Sequence, residues 1–180
     1  MILPEHFVLD TGPLLDYFVH LYNDQYHSTW LSASISPVTP QDKTWTDVFH
    51  SFFEHHKGRL LTSSGVIAEI ERHIRKAARE AHYRNPKEFQ ERFWTLVQNK
   101  MKELKFNEDT QYLIDMSKNI LTDLGPVDTS IIELAKKHAK LGKRFIVFTT
   151  DFGIRKRCME EQILVESVEE RIDKFIIEFL

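Results

Sequence analysis

The stretch RFIVFTTD, residues 144–151, constrains the chain most. A continuous apolar run that stops at Thr-Thr-Asp has the pattern of a central strand buried on both faces, and such strands belong to parallel sheets covered by helices. Shorter runs of the same kind are HFVLD at 6–10, RLLTSS at 59–64 and ILVES at 163–167. Between them the apolar spacing turns helical. Helices are expected over 13–21, with Pro13 in the first turn, over 46–58 ended by Gly58, and over 65–81 with Val66, Ile67, Ile70 and Ile74 as the apolar stripe. Others are expected over 86–104, burying Phe89, Phe93, Leu96 and Val97, and over 108–121, burying Tyr112, Leu113, Met116 and Ile120. A helix over 125–142 has Asp128 at its cap position, and further helices follow over 152–162 and 168–180. Strands separated by helices predict an α/β fold with a mostly parallel sheet.

The 180 residues suit a single domain. The segment 22–45 is rich in Ser, Thr, Asn, Asp and Pro without periodicity, which predicts an irregular insertion around 22–57. Extra helices around 86–121 enlarge the middle of the chain. Hydrophobic residues at 42% are enough for a core. The balance of 24 Lys+Arg against 27 Asp+Glu, formal net charge −3, means that any nucleic-acid partner is held by a local basic stripe. Cys158 is the lone cysteine, so neither an intrachain disulfide nor a cysteine zinc cluster is available. With no signal-peptide pattern at MILPEHF and no apolar run of membrane-spanning length, a cytoplasmic setting is expected.

Four acids stand where an α/β sheet builds its sites, outside the carboxyl ends of the strands. Asp10 ends the first strand, Asp151 follows FIVFTT, Glu69 lies one turn into the helix after RLLTSS, and Asp128 opens a helix after LGPV. Taken singly, each Asp reads as an ordinary helix cap, Asp128 followed by Thr129 and Ser130 above all. Taken together, converging carboxylates repel one another and raise their pKa values. A hard divalent cation such as Mg²⁺ or Mn²⁺ removes that conflict. Thr11, Thr149 and Thr150 stand beside these acids and are expected to orient them by hydrogen bonding. Glu69 is preferred to Glu71 because Ile70 and Ile74 place the buried stripe beside it.

In order and style, FVLDTGPLLDYF, LLTSSGVIAEI, VDTSIIELAKK and FIVFTTDFGI resemble the motifs of PIN-domain ribonucleases. LDTGPLL is the most specific piece, and TTDFG is next. The resemblance implies a three-layer α/β/α sandwich with a central mostly parallel sheet. It implies that Asp10, Glu69, Asp128 and Asp151 form an acidic pocket for Mg²⁺ or Mn²⁺ that hydrolyses RNA phosphodiester bonds, with Thr149 as the hydroxyl before the last acid. Many members of the family are toxins of toxin–antitoxin pairs and often dimeric, so an antitoxin partner and a homodimer are further implications. The greater length of this chain departs from the compact toxin pattern.

Two basic stretches start beside the candidate acids: Arg72, Arg75 and Lys76 after Glu69, and Arg155, Lys156 and Arg157 after Asp151. They read either as RNA phosphate contacts or as solvated helix faces paired with nearby glutamates. The nine histidines lack ligand spacing and read as surface residues. Phe152, directly after Asp151, reads as a packing residue under the pocket, with contact to a base as the other reading. Gly12 stands where a haloacid-dehalogenase-type phosphatase needs a second Asp, and no P-loop is present. The alternatives are a noncatalytic PIN-like module binding RNA or protein, and a nuclease on structured DNA. The four retained acids favour an active nuclease, and DNA-cutting relatives are usually larger and more basic than this chain.

Overall fold

The computed structural model describes residues 5–26, 43–80, 85–109 and 124–167, together with 170, 171, 173 and 174. The chain runs β1 (Glu5–Leu9), α1 (Thr11–Tyr26), α2 (Lys43–His55), β2 (Leu60–Ser63), α3 (Ser64–Glu80), α4 (Pro86–Glu103), β3 (Asn107–Asp109), α5 (Pro126–Ala139), β4 (Arg144–Phe148), α6 (Phe152–Glu160) and β5 (Val165–Glu166). The five strands form one parallel sheet in the order β3-β2-β1-β4-β5. The chain therefore builds outward from β1 on one side, then crosses back and builds outward on the other. The reversal lies between β1 and β4, which run in register from Glu5 against Arg144 to Leu9 against Phe148. In open α/β sheets this switch point opens a crevice beyond the carboxyl ends of the strands.

Alternating side chains of the central strands reach opposite faces, and helices cover both. On one face Phe7 meets Phe52 of α2 edge-on, with ring centroids 5.2 Å apart, and Phe52 meets Phe148 at 5.3 Å. Tyr17 of α1 stacks on Phe53 of α2 at 3.9 Å, which locks the two helices together. On the other face His6 stacks on Phe145 at 5.0 Å, and Phe145 meets His138 of α5 at 4.8 Å. The result is a three-layer α/β/α sandwich. Among the described residues no helix is long and apolar enough to cross a membrane.

Three elements depart from the reading of the sequence. Helix α1 runs to Tyr26, so residues 22–26 are helical rather than the start of an irregular insertion. Tyr22 explains the extension: it lies one turn beyond Phe18, is 2% exposed, and packs on Phe89 and Phe93 of α4 at 5.4 and 5.5 Å. Asp24 and Gln25 are the exposed side of that turn, Asn23 is partly buried, and the polar composition hides a buried face. Helix α2 likewise starts at Lys43. Residues 27–42 lie outside the described residues. The helix expected over 108–121 does not begin where the pattern placed it. Glu108 and Asp109 belong to the edge strand β3, paired with Thr62 and Ser63 of β2. An edge strand this short and charged carries no apolar alternation to read. Residues 110–123, with the expected buried Tyr112, Leu113, Met116 and Ile120, lie outside the described residues.

Candidate active site

Every strand end at the switch point delivers a polar group into the same crevice. The Asp10 amide donates to the Phe148 carbonyl oxygen at 3.1 Å, which holds the end of β1 level with the end of β4. Thr62 of β2 donates its hydroxyl to the Leu9 carbonyl oxygen at 3.0 Å from the other side. Asp10 is thereby fixed between two strands, and the residue is only 5% exposed.

A line of hydroxyl and amide donors then joins three of the four candidate acids. Thr11 donates its backbone N–H to Asp10 Oδ1 at 2.6 Å and its hydroxyl to Glu69 Oε2 at 2.7 Å. Thr149 donates its hydroxyl to Asp10 Oδ2 at 2.6 Å, and its Oγ1 accepts the Asp151 backbone N–H at 2.9 Å. Glu69, Asp10 and Asp151, from α3, the end of β1 and the start of α6, are thus linked through Thr11 and Thr149. Asp128 joins them through its field. Burial raises its pKa, and the charges of Asp151 and Glu69 raise it further against a hydrogen bond from the Gly125 backbone. Asp10 is pushed up to about 6, chiefly by burial, against the hydrogen bonds from Thr149 and Thr11, with Asp128 and Asp151 adding to the rise. The mutual repulsion expected of converging carboxylates is therefore present.

The caps differ from the sequence reading. Gly125 occupies the cap position of α5, Pro126 follows, and Asp128 lies inside the first turn, where its carboxylate reaches back to the Gly125 N–H. Asp151 is the residue that caps by side chain, with Oδ1 accepting from Ile154 N at 2.9 Å. Its other oxygen makes no hydrogen bond among the described residues. Thr150 does not orient a carboxylate among the described residues. Its hydroxyl instead lies against Gly12, where an added Cβ would come within 2.7 Å of Thr150 Oγ1. Glycine at 12 is what allows the start of α1 to approach the β4–α6 loop so closely. Glu71, the rejected neighbour of Glu69, is exposed and pairs with Arg75 at 2.5 Å.

Two positioning residues carried no signal as site residues. Ser63 Oγ accepts the Val66 N–H at 3.3 Å and starts α3, and it pairs with Ser130 Oγ of α5 at 2.7 Å. Both serines are fully buried. This pair ties the helix carrying Glu69 to the helix carrying Asp128. The signal available was two hydroxyl residues at helix starts, in TSS and DTS, which composition alone reads as caps.

The basic residues are mostly engaged. Arg72 pairs with Glu69 Oε1 at 2.8 Å, Arg155 with Glu170 at 3.1 Å, and Arg157 with Glu161 at 2.9 Å. Lys156 stands 4.0 Å from Glu160 and is 68% exposed. Phe152 does not pack beneath the pocket. It is 79% exposed, because Ile154 and Cys158 form the buried side of α6 and the first residue of that helix points outward. Nor are all the histidines on the surface: His56 is 2% exposed between the rings of Phe7 and Phe52, with its pKa lowered to about 3, first by burial and then by Arg59 and Arg171.

The donor set suits a hard divalent cation. Asp10, Asp128 and Asp151 have no cationic side chain paired with them among the described residues, and all available ligands are oxygen. No three His, Cys, Asp or Glu side chains among the described residues close on one point by themselves. Mg²⁺-type sites use one or two carboxylates directly and complete their shell with water and substrate phosphate. No protein-family model matches the chain. No curated protein matches it in sequence.

Proposed function

We propose that the protein is a metal-dependent endoribonuclease of PIN-like type, hydrolysing RNA phosphodiester bonds at the crevice between β1 and β4. One observation supports the reading: Thr11 and Thr149 join Glu69, Asp10 and the Asp151 backbone N–H in one hydrogen-bonded line at the switch point of the sheet, and Asp128 lies in electrostatic range. A structural set of helix caps has no need of a buried acid under the charges of Asp128 and Asp151. Mg²⁺ or Mn²⁺ held by Asp10, Glu69, Asp128 and Asp151 would supply an activated water and charge stabilisation at the phosphate. The chain's own part is to hold those carboxylates ionised and oriented. Thr11 and Thr149 stabilise the charged form of Asp10 and fix its oxygens, and the burial of Asp10 excludes bulk water from one side of the crevice. Exposed Lys156, on the helix that opens at Asp151, supports a polyanionic substrate.

The test is calorimetric titration of Mn²⁺ into the wild type and into Asp10→Asn, Glu69→Gln, Asp128→Asn and Asp151→Asn, with Glu71→Gln as control. The reading predicts weaker binding in all four and an unchanged control. Wild-type affinity in all four variants would remove the metal site and with it the enzyme.

A further inference from the structure

Among the described residues, Phe152 is the most exposed large hydrophobic side chain, at 79%, whereas Phe7, Phe18, Phe52, Phe53, Phe93 and Phe148 are each at 0%. Single apolar residues on a surface are ordinary. What distinguishes Phe152 is its mounting. The backbone on its N-terminal side is pinned by the Thr149 hydroxyl on the Asp151 N–H and by Asp151 Oδ1 on Ile154 N. At Gly153 an added Cβ would come within 3.1 Å of Asp151 Oδ1 and 3.4 Å of the Leu124 side chain. The ring is thus held on a rigid turn immediately after a candidate catalytic acid, and nothing apolar on α6 covers it. Lys156, four residues on, shares its helix face and is 68% exposed, while neighbouring Arg155 and Arg157 are turned into ion pairs.

An aromatic face beside an exposed ammonium group, here held only by a 4.0 Å contact to Glu160, is the pairing that holds a nucleotide, the ring taking the base and the cation its phosphate. Resting on the ribonuclease reading above, we infer that Phe152 is a base-stacking post. The nucleotide next to the scissile phosphate lays its base on the Phe152 ring, and the following phosphate meets Lys156. The site therefore reads the presence of an unstacked base at one fixed position relative to the cut.

The test measures cleavage of a single-stranded RNA oligonucleotide by the wild type and by Phe152→Ala, Phe152→Leu and Phe152→Trp, with an abasic position walked along the substrate. Stacking on one aromatic ring predicts a KM raised about tenfold in Phe152→Ala. It predicts rescue by Trp and not by Leu. It also predicts one abasic position that costs the wild type a similar factor and costs Phe152→Ala nothing further. A KM unchanged in Phe152→Ala, or rescue by Leu equal to that by Trp, overturns the inference. So does a wild-type dimer that sediments as a monomer in Phe152→Ala, which would make the ring a contact between copies. Quenching of a 2-aminopurine oligonucleotide on binding separates the two readings. Quenching that is lost in Phe152→Ala although the wild type cuts no RNA keeps the stacking post and removes the nuclease. Cleavage that depends on Asp10 but not on Phe152 does the reverse.

Discussion

At Asp10 the fold holds a carboxyl group in a place that disfavours its charge. Its folded pKa of about 6 lies above the ordinary value of 3.8. Between those values the folded state binds more protons than the unfolded chain, so stability falls as pH rises from about 4 to 6 and the full penalty is present above 6. That difference in pKa corresponds to about 3 kcal/mol. Without divalent cations, Asp10→Asn should therefore melt higher than the wild type at pH 7.5, by roughly 6–12 °C, and the difference should vanish at pH 4. Mn²⁺ should raise the melting temperature of the wild type at pH 7.5 and leave that of Asp10→Asn unchanged. Thermal denaturation across pH reads both. Nearby, Gly12→Ala forces a Cβ against Thr150 Oγ1. The substitution should cost about 1–2 kcal/mol and weaken cation binding, and Thr150→Ala should restore much of both, since it removes the obstructing atom. A double-mutant cycle measures the coupling.

The elements show which parts of this arrangement could be read before folding. Strands β1, β2 and β4 were legible because they are buried on both faces and so are written in continuous apolar letters. The positions of Asp10, Glu69, Asp128 and Asp151 followed from the ends of those elements. Where burial depends on a distant partner, the pattern failed. Tyr22 extends α1 because Phe89 and Phe93 wait for it, and Asn23, Asp24 and Gln25 around it read as loop. Replacing Tyr22 with Ala should cost about 3–5 kcal/mol, as for other buried aromatic rings, and would show in chemical denaturation. Edge strand β3, with only Asn107, Glu108 and Asp109, has no period to detect. Within the site, the exposure of Phe152 depends on which side of α6 faces the sheet, and the Ser63–Ser130 tie depends on α5 meeting the start of α3. Thr149 was legible as a hydroxyl beside an acid, and its two bonds make a sharp prediction. Thr149→Val keeps the shape but unlinks Asp10 from Asp151, and should weaken Mn²⁺ binding by about 10–100-fold in calorimetry.

The whole molecule combines two opposed titrations. His56, buried between Phe7 and Phe52, has its folded pKa at about 3, below the ordinary 6.5. The unfolded chain therefore takes up the proton first as pH falls through 6.5, and stability declines from there toward pH 3. Asp10 removes stability in the other direction, between about 4 and 6. Between about 4 and 6 the two slopes oppose and largely cancel, so the metal-free protein should change little in stability there and be most stable above pH 6.5. His56→Leu should uncover the Asp10 slope, with stability falling as pH rises from about 4 to 6. The sheet order places both consequences in one design: β1 at the centre carries Phe7 under His56 at its middle and runs into the buried Asp10 at its end. A fold that buries an acid at its switch point is less stable than it could be, and the catalytic role proposed for that acid would account for the loss.

The most direct test is cleavage of an RNA panel with and without Mn²⁺ or Mg²⁺ by the wild type beside Asp10→Asn. Circular dichroism shows that the variant is folded. The account predicts cleavage that requires the divalent cation and disappears in the folded variant. Cation-independent cleavage, equal cleavage by both proteins, or none by either would contradict it.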